Sequence, residues 1–474
     1  MLKDLAKSIL IYGVASSLGK FVGLFLVPVY TRIFSPEQYG VIDLISTVVA
    51  FVSILGMVQL ESSISRYYYT AKDDSERRLF ISTAFWPIVL FSVFWMIIVA
   101  LVADYASYLL FKTVKYKKII IVSALTIPVS NLFSYLTVVM RYQKKPLTYS
   151  LFVIVQMLTS VGMSIWLVVY ERMGIIGVFY GQLFGFVLGA AVLTFYLRFY
   201  IVFSLQMDLL KKYFRFGIPM VPAVAGSWLN AYANRFFMLG YLTLTDIGLY
   251  TVALKIASAF QLIDSAFRMA WGPFMWENYE RPDHREIYKR IMKLVTIGVF
   301  FLVVVFSLFG KEVLLLLTTA DYTKASSLIG MLAYSIGLGI IAQTIGLGAG
   351  ITKRTEYNTV IYCISVAVNI GCLFVLVPKM GLIAVPLSLL LSTTALVALA
   401  WYNSERLYYI GFSKSFFIAA YALALIPIVI ASMIDINSFV KLIIVGVVLF
   451  MFGMMLILGR TPVVSINTIF RGAF

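Results

Sequence analysis

Apolar stretches of about twenty residues follow one another along nearly the whole chain, separated by short charged loops. Each is close to the length a helix needs to cross a bilayer. Spans are expected at 8–31, 41–64, 79–103, 119–140, 148–170, 175–197, 217–240, 247–271, 294–310, 328–350, 358–377, 382–402, 415–432 and 441–458. With 62% hydrophobic and only 12% charged residues, against the roughly 25% charge of a soluble domain, the chain reads as all-α and polytopic. A spanning segment must satisfy its own backbone hydrogen bonds, which leaves helices as the fitting element.

The net charge of +17 invites a nucleic-acid reading, but its distribution excludes one. With the N-terminus placed in the cytoplasm, inner segments carry 24 Lys and Arg and outer segments nine, with five more at or within spans. That asymmetry is the positive-inside pattern and puts both termini in the cytoplasm. The first apolar stretch is too long for a cleaved signal and holds Lys20, so it reads as a retained span. Tyr67, Tyr68, Tyr69, Tyr105, Tyr108, Tyr408 and Tyr409 fall at span ends, as interfacial anchors do. Cys363 and Cys372 share one expected helix, about 13 Å apart, too far for a disulfide. They read as small buried fillers, and with a single histidine, His284, in a charged loop, no protein-built metal site is expected. No cofactor is expected either.

The two halves echo each other. Ser35-Pro36-Glu37-Gln38-Tyr39-Gly40 and Thr243-Leu244-Thr245-Asp246-Ile247-Gly248 precede spans two and eight, with Gly40 and Gly248 208 residues apart. Lys144-Lys145 and Lys353-Arg354 are 209 apart, and the Met173-Gly174 and Met380-Gly381 pairs 207. An even number of spans per repeat gives parallel halves, related by a pseudo-two-fold axis along the membrane normal, with the substrate site between them. The expected layout is an N-terminal lobe over 1–197, a cytoplasmic amphipathic linker over 198–216, and a C-terminal lobe over 217–402. Two further helices and a cytoplasmic tail occupy 403–474. In the linker, Leu205, Leu209, Leu210 and Phe214 alternate with Lys211, Lys212 and Arg215. In span six, Gly177, Gly181, Gly185 and Gly189 recur every fourth residue, a face that lets a neighbouring helix come close.

Several spans carry charge where charge is expensive, roughly 2.5–3.5 kcal/mol at a helix centre. Such residues face a water-filled cavity or a partner. Lys20 and Lys255 lie near mid-depth, and Arg235 lies toward the outer end of span seven, where it can meet phosphate bidentately or snorkel outward. In span eight Ser258, Gln261, Asp264, Ser265 and Arg268 share one face, with Lys255 at its edge. Asp264 and Arg268, at i and i+4, can pair locally or line a cavity in which Asp264 carries a coupling proton. Glu61, near the inner end of span two, is nearly repeat-equivalent to Arg268. The two could meet as an inner gate, or Arg66 could serve, unless it is a positive-inside residue only. Lys20, Arg235, Lys255 and Arg268 outnumber the intramembrane acids Glu61 and Asp264, which favours an anionic substrate over a cation.

The order and spacing of several further segments carry a family resemblance. They are Phe34-Ser35-Pro36-Glu37-Gln38-Tyr39-Gly40, Glu61 to Arg66-Tyr67-Tyr68, Gly217-Ile218-Pro219 with Val221-Pro222, Asn234-Arg235-Phe236, Gly248-Leu249-Tyr250, Ala270-Trp271-Gly272-Pro273-Phe274 and Pro378-Lys379-Met380-Gly381. Along almost its whole length the chain resembles the lipid-linked oligosaccharide flippases, the O-antigen and capsule polysaccharide exporters of the multidrug/oligosaccharidyl-lipid/polysaccharide superfamily. Where that family often has Asp-Arg, this chain has Asn234-Arg235, which takes a negative neighbour from Arg235. The resemblance implies fourteen helices in two lobes, set in a bacterial inner membrane. It implies alternating access that moves undecaprenyl-diphosphate-linked oligosaccharide from the inner to the outer leaflet through a cationic cavity. Implied partners are that lipid-linked oligosaccharide, the bilayer, a coupling cation (H+ or Na+) and a membrane polysaccharide polymerase. A drug or cation antiporter of the same superfamily would present acids instead. A membrane polymerase or glycosyltransferase would need outward-facing carboxylates or a sizeable loop domain, and neither is apparent.

Overall fold

The computed structural model describes residues 23–68, 71–143, 145–352, 354, 356–434 and 436–458. Among these every regular element is a helix. Residues 23–31 form α1, followed by α2 (Pro36–Met57), α3 (Leu60–Tyr67), α4 (Asp74–Leu101), α5 (Ala103–Phe111), α6 (Lys117–Tyr142), α7 (Pro146–Ile165), α8 (Ile175–Tyr196) and α9 (Met207–Gly217). Then come α10 (Val221–Tyr241), α11 (Leu244–Ala257), α12 (Phe260–Asn278), α13 (His284–Leu308), α14 (Gly310–Leu317), α15 (Ser326–Ile345) and α16 (Leu347–Ile351). The described residues close with α17 (Glu356–Met380), α18 (Ala384–Leu407), α19 (Lys414–Met433) and α20 (Ser438–Leu458).

Among the described residues, ten helical stretches are long and apolar enough to cross a membrane, or eleven if α11 and α12 form one bent span. The run Glu356–Leu407 counts once among the ten, although Gly381, at φ +62°, turns the chain and lets α17 and α18 pack side by side. Helices stand at the expected second to fourteenth spans, and the first is described only from residue 23. The ninth differs from expectation. Its helix begins at His284, in what the sequence presents as a charged loop. Hydropathy cannot see this polar start, but Glu286 and Lys289 pair along it at 2.7 Å and support the turn. The expected outer loop 104–118 likewise contains α5, tied to α6 by Lys117 and Asp104 at 2.7 Å.

Packing divides the chain into two compact units, one ending at Thr251 and the other beginning at Val252. The lobes expected from the sequence repeat are a division by ancestry, which a division by packing does not decide.

In the first unit, α2, α4 and α6 meet around Asn131. Its side-chain amide donates to the Ser53 carbonyl at 3.1 Å and to Ser92 Oγ at 2.9 Å. Tyr135 donates to the Ile81 carbonyl at 2.7 Å. In an apolar surrounding such bonds fix register, because an unmade one costs about 1–3 kcal/mol. The glycine face of span six does what its spacing suggests. A Cβ at Gly181 would overlap Ser164, one at Gly185 would overlap Ser160, and one at Gly189 would crowd Gln156, all on α7. Gly185→Leu is therefore expected to lower the thermal stability of the purified protein by the equivalent of about 1–3 kcal/mol or more. Gly162→Leu should be neutral, since that glycine faces open space. Equal melting temperatures for the two variants would refute the packing role.

Within the linker, residues 207–217 form the amphipathic helix α9. Leu209 and Tyr213 are buried, while Asp208 and Lys211 point to solvent. α9 docks on α3, where Ser63 donates to the Tyr213 carbonyl at 2.9 Å. Just above, Val58 and Gln59 break α2 from α3 in left-handed conformation, with φ +47° and +55°. Such geometry costs a non-glycine residue roughly 1–2 kcal/mol. Gly217 lies against the Val58 carbonyl, where a Cβ would come within 2.8 Å.

In the second unit α13, α15, α18 and α19 form the core. Phe300 stacks on Tyr334 at 5.2 Å, and Tyr334 donates to the Tyr421 carbonyl at 2.9 Å. At another end of the unit the buried Lys441 meets Glu312 at 2.6 Å. Cys372 is half-buried and Cys363 is exposed, both unpaired. The expectation of two buried cysteines thus fails for Cys363, which lies on the outward face of α17. His284 is held between the Arg281 carbonyl, 2.6 Å from Nδ1, and the Tyr408 hydroxyl, 2.7 Å from Nε2.

Candidate substrate and gating residues

The repeated loops before spans two and eight are helix caps. Ser35 Oγ accepts from the Gln38 amide at 3.3 Å, and Gln38 Oε1 accepts from the Ser35 amide at 3.1 Å, a complete capping box. Thr243 and Asp246 do the same at the start of α11, with amide bonds of 3.2 and 3.0 Å. Five residues beyond each cap comes a glycine, and the two glycines meet. A Cβ at Gly40 would overlap the Leu244 carbonyl, one at Gly248 would overlap the Pro36 carbonyl, and each would lie 3.1 Å from the other glycine's amide nitrogen. Contact between equivalent positions is what a two-fold relation requires at its axis. The absence of side chains here brings the two helix starts to backbone distance.

One turn further along α2, Asp43 faces α10. Arg235 Nε donates to Asp43 Oδ2 at 2.5 Å, and its Nη1 donates to the Ala231 carbonyl at 3.3 Å. The guanidinium carbon lies 4.8 Å from the Tyr232 ring centre and 5.7 Å from that of Tyr250. Asn234 donates to the Tyr250 hydroxyl at 3.3 Å. Arg235 is 4% exposed, so it does not snorkel. The expectation that Asn234 leaves Arg235 without a negative neighbour is also corrected, because Asp43 supplies one from another helix. Sequence reasoning missed Asp43. The available signal was an acid inside the second apolar stretch, three residues past Gly40, and the intramembrane tally becomes four cations to three acids.

In the second unit, Asp264 accepts from its i+4 neighbour Arg268, Nε at 2.9 Å and Nη2 at 2.8 Å, and from Gln343 Nε2 on α15 at 3.0 Å. Arg268 remains more than half exposed. The single polar face expected for span eight is interrupted, because α11 ends at Ala257 and α12 starts at Phe260, bent by 43°. Ser258 Oγ donates to the Lys255 carbonyl at 2.6 Å, a side-chain bond that competes with the helix ladder. Lys255 therefore sits half-buried on the far side of a break from Asp264 and Arg268. Glu61 is half-buried on α3, with the Arg141 charge acting on it and its carbonyl accepting from Tyr142 at 3.4 Å. Arg66 belongs to the same helix, its side chain outside the described residues, as is all of Lys20.

A family model described as "Polysaccharide biosynthesis protein" matches residues 29–327. The chain belongs to the polysaccharide biosynthesis protein family. No curated protein sequence matches it. Among solved structures, this polysaccharide biosynthesis protein superposes on the lipid II flippase MurJ in an inward closed conformation. The TM-score is 0.74 at 14% identity, over 94% of this chain and 98% of that one. An inward-facing multidrug resistance MATE transporter of the MOP superfamily gives 0.59 at 14%, over 84% and 95%. A point mutant of the Vibrio cholerae MATE transporter VcmN gives 0.57 at 14%, over 86% and 98%. At that identity the likeness establishes the fold alone, the one shared with that flippase and those transporters.

Proposed function

We propose that this protein is a flippase that carries an undecaprenyl-diphosphate-linked oligosaccharide, an O-antigen or capsule repeat unit, from the inner to the outer leaflet by alternating access through a cationic cavity. The observation that carries the reading is the family match over residues 29–327 on a chain whose described residues include at least ten helices long and apolar enough to cross a membrane. A polysaccharide-pathway protein of that build has work open to it that needs no catalytic domain, namely moving the lipid-linked intermediate. The charges support this reading over a cation antiporter. Both Asp43 and Asp264 are already engaged by an arginine, so neither offers a bare carboxylate to a cationic drug. In this proposal Lys20, Lys255 and Arg268 serve the diphosphate, Arg235 joins them when its buried pair with Asp43 opens, and Glu61, Arg66 and Asp264 serve gating or ion coupling. The membrane is the bacterial inner membrane, with both termini cytoplasmic.

A deletion strain should lose surface polysaccharide and accumulate the lipid-linked repeat unit in the inner leaflet. The purified chain in liposomes should move that lipid across. A deletion strain with intact surface polysaccharide and new drug sensitivity would favour the antiporter instead.

Orientation is tested separately, in a chain first freed of Cys363 and Cys372. A cysteine at Val114, exposed between α5 and α6, should react with an impermeant thiol reagent added to intact spheroplasts. One at the exposed Ser75 should react only after permeabilisation. Labelling of Ser75 from outside would reverse the topology.

A further inference from the structure

The unit that begins at Val252 also holds a cleft lined by none of the substrate or gating residues named above. α18 packs on α17 and α15, α19 on α13 and to a lesser extent α15, and the two touch each other little. Between them lies a cavity of about 500 Å³, within the ~300–1,000 Å³ range of small-ligand sites. Only side chains bridge the gap: Trp401 meets Phe417 at 5.2 Å, and Thr394 meets the Tyr421 hydroxyl at 2.9 Å. The walls are apolar, with Val397, Ala398 and Ile418 among the lining residues.

The mouth is different. It opens beside the turn 408–413, rimmed by the exposed Arg406 and Lys414. Neither has an acidic partner among the described residues. The one acid at the rim, Glu405, is turned inward as a cap, accepting from the Gly411 amide at 3.0 and 3.1 Å and from Phe412 at 3.3 Å. Arg285, against the Tyr408 ring, adds positive charge from α13. A greasy cleft with a cationic lip matches an anionic headgroup carrying an acyl chain, since basic pockets between membrane helices on the cytoplasmic side take such lipids.

We propose that the α18–α19 cleft binds an anionic phospholipid of the leaflet nearest the turn 408–413, with its phosphate on Arg406 and Lys414 and an acyl chain beside Trp401. The site stands independently of which substrate the protein transports.

Trp401 is the reporter. The full chain is reconstituted in vesicles of phosphatidylcholine containing brominated-chain phosphatidylglycerol or, at the same mole fraction, brominated-chain phosphatidylcholine. The Trp401 signal is isolated as wild type minus Trp401→Phe. Brominated phosphatidylglycerol should occupy the site in preference, by about five-fold for each contributing cation, and quench Trp401 the more strongly. Arg406→Gln with Lys414→Gln, both at exposed positions, should cut the preference by about 25-fold, to no more than Arg285 supplies. Ala398→Phe, which fills the cleft and leaves the cations in place, should reduce quenching by both lipids. Equal quenching by the two lipids in wild type, or a preference undiminished by the double substitution, would overturn the proposal. So would relief of quenching by millimolar inorganic phosphate, which would make this a bare anion site. Stronger displacement by undecaprenyl phosphate than by phosphatidylglycerol would assign the cleft to a polyprenyl lipid and overturn it equally.

Discussion

Asp43→Leu and Arg235→Leu are each expected to destabilise the protein by about 3–5 kcal/mol, because each strands its partner's charge in a buried site. The double variant should recover most of that loss, since a buried ion pair replaced by apolar groups of similar size is often neutral or stabilising. The pair qualifies for this treatment because its side chains are only 5% and 14% exposed, too dry for solvent to screen it. Thermal unfolding in detergent reads the cycle directly. Additive losses in the double would show that the two charges are not coupled. Transport then separates two roles. A double variant that is stable yet fails to restore surface polysaccharide places the pair in the transport cycle. One that is stable and active makes it a fastening alone.

Lys20→Gln and Lys255→Gln should each reduce transport by about ten-fold or more, with folded protein still in the membrane. A hydrogen bond to a charged group contributes about 1.5–3 kcal/mol, and glutamine keeps the length and a donor but loses the charge. Arginine at either position should retain more activity than glutamine, because the diphosphate responds first to charge and then to shape. Lys255 stands half-buried in the last turn of α11, just before the break to α12. Full restoration of surface polysaccharide by both glutamine variants, alone and together, would remove the cationic cavity from the mechanism. It would leave family and fold untouched, since these rest on other observations.

What could be read from the chain and what could not divide along a physical line. Local signals were legible. The two capping boxes, at Ser35 and Thr243, were visible as a repeated loop. The span-six glycines announced a close helix neighbour, and the apolar and basic alternation of 205–215 announced a surface helix. These depend on a few adjacent residues and a fixed helical period. Partners brought from a distance were not legible. Nothing beside Arg235 names Asp43, 192 positions away, and Asn234 argued for a missing acid although another helix supplies one. Hydropathy also fails where helix and membrane part company. It shortens α13 by its polar first turns, and it reads α11 and α12 as one rod, although Ser258 bends them apart.

The glycine crossing and the ion pair beside it act over different distances. Contact between the backbones at Gly40 and Gly248 is dispersion at touching range, and an opening of about 1 Å already forfeits a quarter to a half of it. The attraction between Asp43 and Arg235 falls only as the inverse of separation in a dry surrounding. Were α2 drawn away from α10 and α11 together, the first would be lost abruptly and the second kept for several ångströms. The glycines then decide whether the helices touch, and the ion pair how strongly they are pulled back.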